Sequence, residues 1–468
     1  MGSRFGNCVS RQQNADRLTY LDGAHFETGS LEQFPKQAQL MKIQLASIRT
    51  LIICCTAFAF VSFVFQPTIS FSQSDNQNQW ATWRGPNNNG VTEGQKVVTK
   101  WSETENVLWF TEIPGRGHST PIIVADRIFL TTSDTGTQTQ SVLCFERGDG
   151  NLLWNTPVNQ GNFNPRIHQK NTHASPTVAC DGERVFALFN NNGKNQLSAL
   201  DLDGKILWQR HIASFKTGRP FGSGSTPILH DGLLYVPNEA SSECAIICID
   251  PANGEEVKRI DRGGKFDNYA TPVIAEVAGR TQLLMSGGKR VSGYDPESCK
   301  ELWSVAAKWD ITCNAMVWDG DMVFASGGYP AQQTLGINAK TGKLVWEKPV
   351  KCYEQSMLIH DGRLYGLSNR GVVYCWRAET GEVLFKKRFE APVSASPVLA
   401  DGNILFTAEN GNTLIIKAGT DSFEEVARNK LGNSSFASFA ITDNKIYARA
   451  GFGRGAGLKE YLYCLGKE

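Results

Sequence analysis

The 468-residue sequence has almost no net charge, few histidines and no CxxC pair. Its 47 basic side chains are offset by 46 acidic ones, which leaves +1. Without a basic excess there is no electrostatic footprint for a phosphate backbone, so no nucleic-acid partner is expected. Of the 12 cysteines, Cys8, Cys54 and Cys55 lie near the start; Cys144, Cys180, Cys244, Cys248, Cys299, Cys313, Cys352, Cys375 and Cys464 follow at irregular spacing. An odd, scattered set spells neither a disulfide framework nor a zinc site, and small buried residues are the simplest reading. No nucleophile elbow, no Ser-His-Asp spacing and no kinase His-Arg-Asp or Asp-Phe-Gly motif occurs. Residues 451–457 are glycine-rich but lack the Lys-Ser/Thr and the following helix of a phosphate loop. Asp201-Leu202-Asp203-Gly204 opens like a calcium loop, lacks the later acidic ligands, and falls where each repeat has a hairpin turn.

Long apolar runs are also missing. The main one, residues 51–65, is shorter than the roughly 20 residues of a membrane-spanning helix. Met41, Lys42 and Arg49 precede it, Gln66-Pro67 breaks it, and Ser70-Phe71-Ser72 follows. This layout predicts a signal peptide over residues 41–72 with a mature start at Gln73, hence an exported, periplasmic or extracellular protein. An uncleaved anchor is the alternative and the one expected route to a membrane. A lipid anchor at Cys54 fits poorly behind bulky Leu51, Ile52 and Ile53. Residues 1–40 are polar and aperiodic, and are expected to be untranslated or disordered, with translation starting at Met41. Residues 73–105 read as an N-terminal extension.

Glycine is abundant, at 45 residues, and it marks a repeat. Each unit opens with a small residue, Ser/Thr and Pro, as in His118-Ser119-Thr120-Pro121, His173-Ala174-Ser175-Pro176, Gly224-Ser225-Thr226-Pro227, Tyr269-Ala270-Thr271-Pro272 and Ser394-Ala395-Ser396-Pro397. Met316, Met357 and Phe439 stand in the proline place of three others. Asp-Gly dipeptides at 181, 231, 361 and 401 supply the positive φ of tight hairpins between apolar strands. Units close on Trp109, Trp154, Trp208, Trp303 or Trp346, with Lys258, Phe385 and Val426 in the equivalent place. The interval runs from about 39 to about 54 residues, one four-stranded blade each. A lone four-stranded sheet cannot bury both apolar faces; radial packing buries them against each other. The tryptophans therefore read as packing residues between blades. The strand around Trp109 has no unit before it, and the last unit, from Phe436, has no Trp strand after it. The sequence thus predicts an all-β chain: an eight-bladed β-propeller over residues 106–468, with ring closure by an N-terminal strand.

These repeats resemble the propeller of pyrroloquinoline-quinone (PQQ) enzymes and their non-enzymatic relatives, among them BamB, the lipoprotein of the outer-membrane barrel-assembly machinery. Trp80-Ala81-Thr82-Trp83-Arg84-Gly85-Pro86 resembles the opening of exported quinoprotein-like repeat proteins. The resemblance covers residues 80–466 and implies the fold more than a job. Quinone alcohol dehydrogenases of this type carry a vicinal cysteine pair and a calcium held by Glu, Asn and Asp. The adjacent cysteines here, Cys54 and Cys55, sit in the signal, and no match to the catalytic Asp motif is found. The expectation is a non-catalytic binding or scaffold protein at the cell envelope, without cofactor or metal, whose partner is an envelope protein or an anionic polymer. A PQQ-dependent dehydrogenase of alcohols or sugars is the alternative.

In a propeller the connections between blades cross one face near the axis. Two of them, residues 155–172 and 209–223, are long and carry Arg166, His168, Lys170, Lys216 and Arg219 beside Phe163, Phe215 and Phe221. With Arg116 and His118 they are expected to form a basic arc. The first residues of the inner strands, read as His118, His173, Gly224, Tyr269, Cys313, Glu354, Ser394 and Phe436, should ring a funnel. The ligand-binding candidates are therefore Arg116, His118, His168, His173, Arg219, Tyr269 and Glu354. A zinc site at His118, His168 and His173 lacks a carboxylate or cysteine at ligand spacing, and polar groups on a solvated face are the simpler reading.

Overall fold

The computed structural model describes residues 79–467, so the expected signal, the Gln73 start and residues 1–40 lie outside the described part. Eight four-stranded antiparallel sheets make up the propeller. Blade 1 begins with Ile122–Val124, blade 2 with Ala179–Cys180, blade 3 with Ile228–His230 and blade 4 with Val273–Val277. Blades 5 to 8 begin with Val317–Asp319, Leu358–His360, Val398–Ala400 and Ala440–Thr442. Strands A to D run outward in chain order in blades 1 to 7. Blade 8 takes strand D from the other end of the chain: Val107–Ile113 pairs antiparallel with Lys459–Leu465, with Trp109 opposite Cys464 and Glu112 opposite Tyr461. The expected ring closure is thus present. An extra two-stranded ribbon, Trp309–Ile311 with Tyr329–Pro330, rises beside blade 5.

The turn chemistry follows the sequence. Asp231, Asp361, Asp401 and Asp443 all adopt positive φ between strands A and B, where an aspartate tolerates the left-handed region and a tight hairpin requires it. The 201–204 segment is the C–D turn of blade 2, and the glycine-rich 451–457 stretch joins two strands of blade 8.

Tryptophans join the blades. The indole of strand D lies over the C–D turn glycine of the next blade. A Cβ on Gly204 would come within 2.6 Å of Trp154, one on Gly254 within 2.6 Å of Trp208, and one on Gly381 within 2.6 Å of Trp346. The indole N–H then donates to a carbonyl of that turn: Trp154 to Leu202 (2.9 Å), Trp208 to Pro251 (3.0 Å), Trp346 to Ala378 (2.8 Å). Lys258 and Phe385 occupy the same register in blades 3 and 6, opposite Cys248 and Cys375. In blade 7 that register belongs to Ala427, opposite Ile415, and Val426 points outward. Trp208→Ala should cost about 3–5 kcal/mol in chemical denaturation, the usual range for emptying a buried aromatic site. A loss under about 1 kcal/mol would remove Trp208 from the list of packing residues.

A second layer of links lies nearer the axis. At six of the eight opening motifs a hydroxyl accepts a backbone N–H of the preceding blade. Thr120 N–H donates to Thr177 Oγ1, Thr177 to Thr226 and Thr226 to Thr271. The second run goes from Ala315 N–H to Ser356 Oγ, then to Ser396 and to Ser438. Ala315 has no hydroxyl to continue the first run, and Thr120 Oγ1 is buried without a partner.

The end of the axis opposite the opening motifs is crossed by the segment before strand D of blade 8. Trp80 bridges Ile123 of blade 1, Trp83 packs on the blade 4–5 cluster, and Val91 bridges Leu399 of blade 7. Between them Arg84 is buried and donates to the carbonyls of Pro397 (2.8 Å), Met357 (3.0 Å) and Asn89 (2.9 Å). Burial pulls its guanidinium down to about 9. Gly90 is required here: a Cβ would meet Arg84 Nη2 at 2.3 Å.

Candidate functional site

The opening strands begin at one end of the axis and surround a cavity of about 340 Å³. The residue two places before each ring position lines it: His118, Ser175, Gly224, Tyr269, Cys313, Glu354, Ser394 and Phe436. Seven of these match the sequence reading. The eighth is Ser175: Thr177, not Ser175, takes the N–H of Thr120, and Ser175 stands two residues before it. His173 lies outside this cavity, stacked on Phe163 with centroids 4.1 Å apart.

The other candidates separate by what they touch. Arg219 spans the rim: its Cζ sits 4.4 Å from the Tyr329 ring centre and its Nη2 donates to the Tyr329 hydroxyl at 3.0 Å. His168 meets Phe221 edge to face at 5.4 Å, and Phe221 in turn meets Tyr269 at 6.1 Å. The Tyr269 hydroxyl is buried beside Thr217 without a hydrogen bond of ordinary geometry, and burial raises its pKa. His118 stacks on Phe436 at 4.3 Å. Arg116 does not line the cavity; its Nε is held by Glu460 at 2.8 Å, and Glu460 also pairs with Arg449 at 2.6 Å.

Glu354 is tied down by groups remote in sequence. Lys170, from the connection between blades 1 and 2, places Nζ 2.9 Å from Glu354 Oε2 and 2.7 Å from Glu409 Oε1. Ser394 Oγ lies 2.7 Å from both carboxylates and has one proton to donate to either. Burial works against the Lys170 ammonium, but the two carboxylates outweigh it and hold its pKa above the usual value. Both carboxylates are therefore paired from within, one ammonium being shared between two negative charges. Lys351, in the same connection as Glu354, lies 4.5 Å from the Tyr353 ring centre. The open part of the cup is aromatic and positive: Phe221, Tyr269, Tyr329 and Tyr353 with Arg219 and Lys351. Cys313 is the one cysteine in the lining, and burial raises its thiol pKa.

The expected basic arc is thus narrower than the sequence implied. Burial lowers the His118 imidazole to about 3, with Arg449 and Arg116 adding and Glu460 opposing. His118 is neutral in the fold and takes up a proton on unfolding. Stability should be fully present above pH about 6.5 and fall as pH drops toward 4.5, by up to about 1.4 kcal/mol per unit. His173 and His230, also lowered by burial, contribute in the same window. His118→Gln should shallow this slope in denaturant melts between pH 7 and 4.5; an unchanged slope would contradict the assignment.

The sequence reading passed over Lys351, Tyr353, Tyr329 and Glu409. Lys351 and Tyr353 stand directly before Glu354 in the same connection and were within its reach. Tyr329 comes on the added ribbon of blade 5 and Glu409 on a B–C turn, neither of which the repeat pattern marks.

The family described as outer membrane protein assembly factor BamB matches residues 88–238, 242–356 and 353–459. No curated protein matches the sequence. Among solved structures, BamB from Moraxella catarrhalis is 15% identical, with a TM-score of 0.55 over 76% of this chain and 99% of that one. The quinohemoprotein alcohol dehydrogenase from Comamonas testosteroni is 12% identical, with a TM-score of 0.62 over 85% of this chain and 82% of its own. A europium-containing methanol dehydrogenase is 12% identical, with a TM-score of 0.60 over 84% and 98%. At these identities the likeness is one of fold.

A planar quinone bearing carboxylates would need flat walls, cations at its edge and, in its metal-assisted form, a cluster of acidic and amide donors. The aromatic cup with Arg219 and Lys351 meets the first two needs. The donor set does not meet the third. Among the described residues no three His, Cys, Asp or Glu side chains gather to hold a metal, and an ammonium already sits between Glu354 and Glu409.

Proposed function

Because the chain belongs to the family described as outer membrane protein assembly factor BamB, we propose that it is a non-catalytic binding propeller of the cell envelope whose funnel receives an acidic segment of a partner protein. The observation that carries this reading is the pairing of both Glu354 and Glu409 with Lys170. It engages the two carboxylates with a shared ammonium and leaves Arg219 and Lys351 as the cations offered to a ligand. His118 is neutral, and the phenols of Tyr269 and Tyr353 and the Cys313 thiol are all held protonated by burial. Such a set is suited to holding a carboxylate against aromatic rings, not to moving protons near neutral pH. Export is proposed from the signal expected at residues 41–72, and N-terminal sequencing of secreted protein should read from Gln73.

A Glu-Tyr copolymer is a suitable probe, being acidic and aromatic at once. Calorimetric titration of the full-length protein should show binding that weakens with salt and falls about tenfold in Arg219→Ala or Lys351→Ala, one charge-assisted contact each. The same protein should neither retain PQQ with calcium nor reduce a dye with alcohols. Quinone uptake with dye reduction would overturn the reading in favour of a dehydrogenase.

A further inference from the structure

The interface between blades 3 and 4 differs from its neighbours at one place. Where an indole joins two blades, it lies in a slot fed by two β-carbon positions. One belongs to the residue opposite the Trp on strand C, the other to the turn residue of the next blade. At the blade 5–6 interface a Cβ on Gly336 would lie 2.3 Å from Trp346 Cε2, and one on Gly381 would lie 2.6 Å from Trp346 Cδ2. These are adjacent atoms of one ring, so both positions lie against the same part of one indole.

Blade 3 has Lys258 in place of the Trp, and Lys258 Nζ leaves the slot to donate to Glu297 O at 3.1 Å. The residue opposite Lys258 on strand C is Cys248. The turn position of blade 4 is Cys299, which keeps the glycine geometry: φ is 62°, and its N–H donates to Asp295 O at 2.9 Å, as Gly254 N–H donates to Asp250 O at 2.8 Å. Both β-carbons that flank the absent indole therefore carry sulfur. The two side chains belong to the same apolar cluster, with Tyr235 and Tyr294 around them. Cys248 is buried and Cys299 partly exposed, and both are thiols in this structure.

We propose that Cys248 and Cys299 are an oxidisable pair that forms a disulfide stapling blade 3 to blade 4, in the slot filled by an indole elsewhere in the ring. A disulfide spans roughly 3.5–4.5 Å between β-carbons, and the two thiols are already within hydrogen-bonding reach of each other in one apolar cluster. The oxidant is another disulfide, either a small molecule or the CxxC of an oxidoreductase. The Cys299 thiolate, the more exposed, attacks it and releases one thiol. The Cys248 thiolate then attacks Cys299 Sγ and releases the second. Two protons and two electrons leave the pair, and the electrons reduce the oxidant's S–S bond to two thiols. Burial pushes Cys248 up to about 12, while the Lys258 ammonium beside both sulfurs opposes this. Closure is accordingly slow at neutral pH and faster in mild base.

The test incubates full-length folded protein with oxidised glutathione, alkylates the remaining thiols and maps the peptides by mass. The expected result is a 248–299 cross-link, with a melting temperature raised by a few degrees and restored by reductant. Cys299→Gly returns the turn to the residue found in other blades, so it should fold normally and show neither the link nor the redox-dependent shift. Two results would overturn the proposal: alkylation of both Cys248 and Cys299 after oxidation at pH 9, or an equal melting shift in wild type and Cys299→Gly.

Discussion

Removing residues 80–113 is expected to abolish cooperative folding, not to fray one end. The segment supplies the outer strand of blade 8, opposite Lys459–Leu465. It also buries Trp80, Trp101 and Ile113 against the blade 8–1 core. Each large apolar side chain contributes roughly 1.5–3 kcal/mol on burial, and a domain's net stability is only about 5–15 kcal/mol. The loss does not stop at packing. Without Trp109 the blade 1 turn at Gly150 loses its cover, and Lys459–Leu465 becomes an open sheet edge, which invites association between chains. The truncated protein should aggregate on expression or melt without a sharp transition. A soluble truncation with the melting temperature of the full-length chain would place this strand outside the ring.

The second large effect belongs to a buried ion pair. Arg262 and Glu239 have side chains 0% and 1% exposed and meet at 2.6 Å. Arg262 also donates to Tyr294 Oη at 3.0 Å and Gly287 O at 3.2 Å, both in blade 4. This cluster fastens the one interface where Lys258 replaces a Trp. Glu239→Ala leaves a guanidinium buried without its counter-charge, and about 3–5 kcal/mol of stability should be lost. Replacing the pair together, as Glu239→Leu with Arg262→Met, should cost less than Glu239→Ala alone, because no uncompensated charge remains. Urea denaturation of the three proteins decides it. A single substitution that costs less than the double one would show that the cluster is held by shape alone.

The architecture was legible because its signals are local. Asp-Gly turns, the Ser/Thr-Pro openings and the Trp strands each fit within a few residues, and an unpaired Trp strand at one end matched a missing one at the other. The site was legible only as far as the repeat extends. In blade 2 the linking hydroxyl is Thr177, two residues beyond the expected Ser175, so Ser175 enters the ring and His173 lies outside, a slip that the Pro176 match concealed. Charge was harder still. Arg116 and Lys170 stand among basic loops in the sequence, yet their partners Glu460 and Glu354 lie 344 and 184 residues away. The charge left for a ligand depends on pairings that composition and spacing do not encode.

The hydroxyl links described between the opening motifs run through blades 1 to 4 and again through blades 5 to 8, and stop at two places, beside Ala315 and at Thr120. Those places are diametrically opposite. Other bonds take over at both: Tyr269 N–H donates to Thr312 O at 3.1 Å between blades 4 and 5, and Arg449 Nη1 donates to Ser119 Oγ at 3.1 Å between blades 8 and 1. Lys170 spans from the first run of blades to Glu354 and Glu409 on the second. It acts as a crossbar, and Arg219, bonded to Tyr329 of blade 5 at 3.0 Å, is a second one across the same mouth.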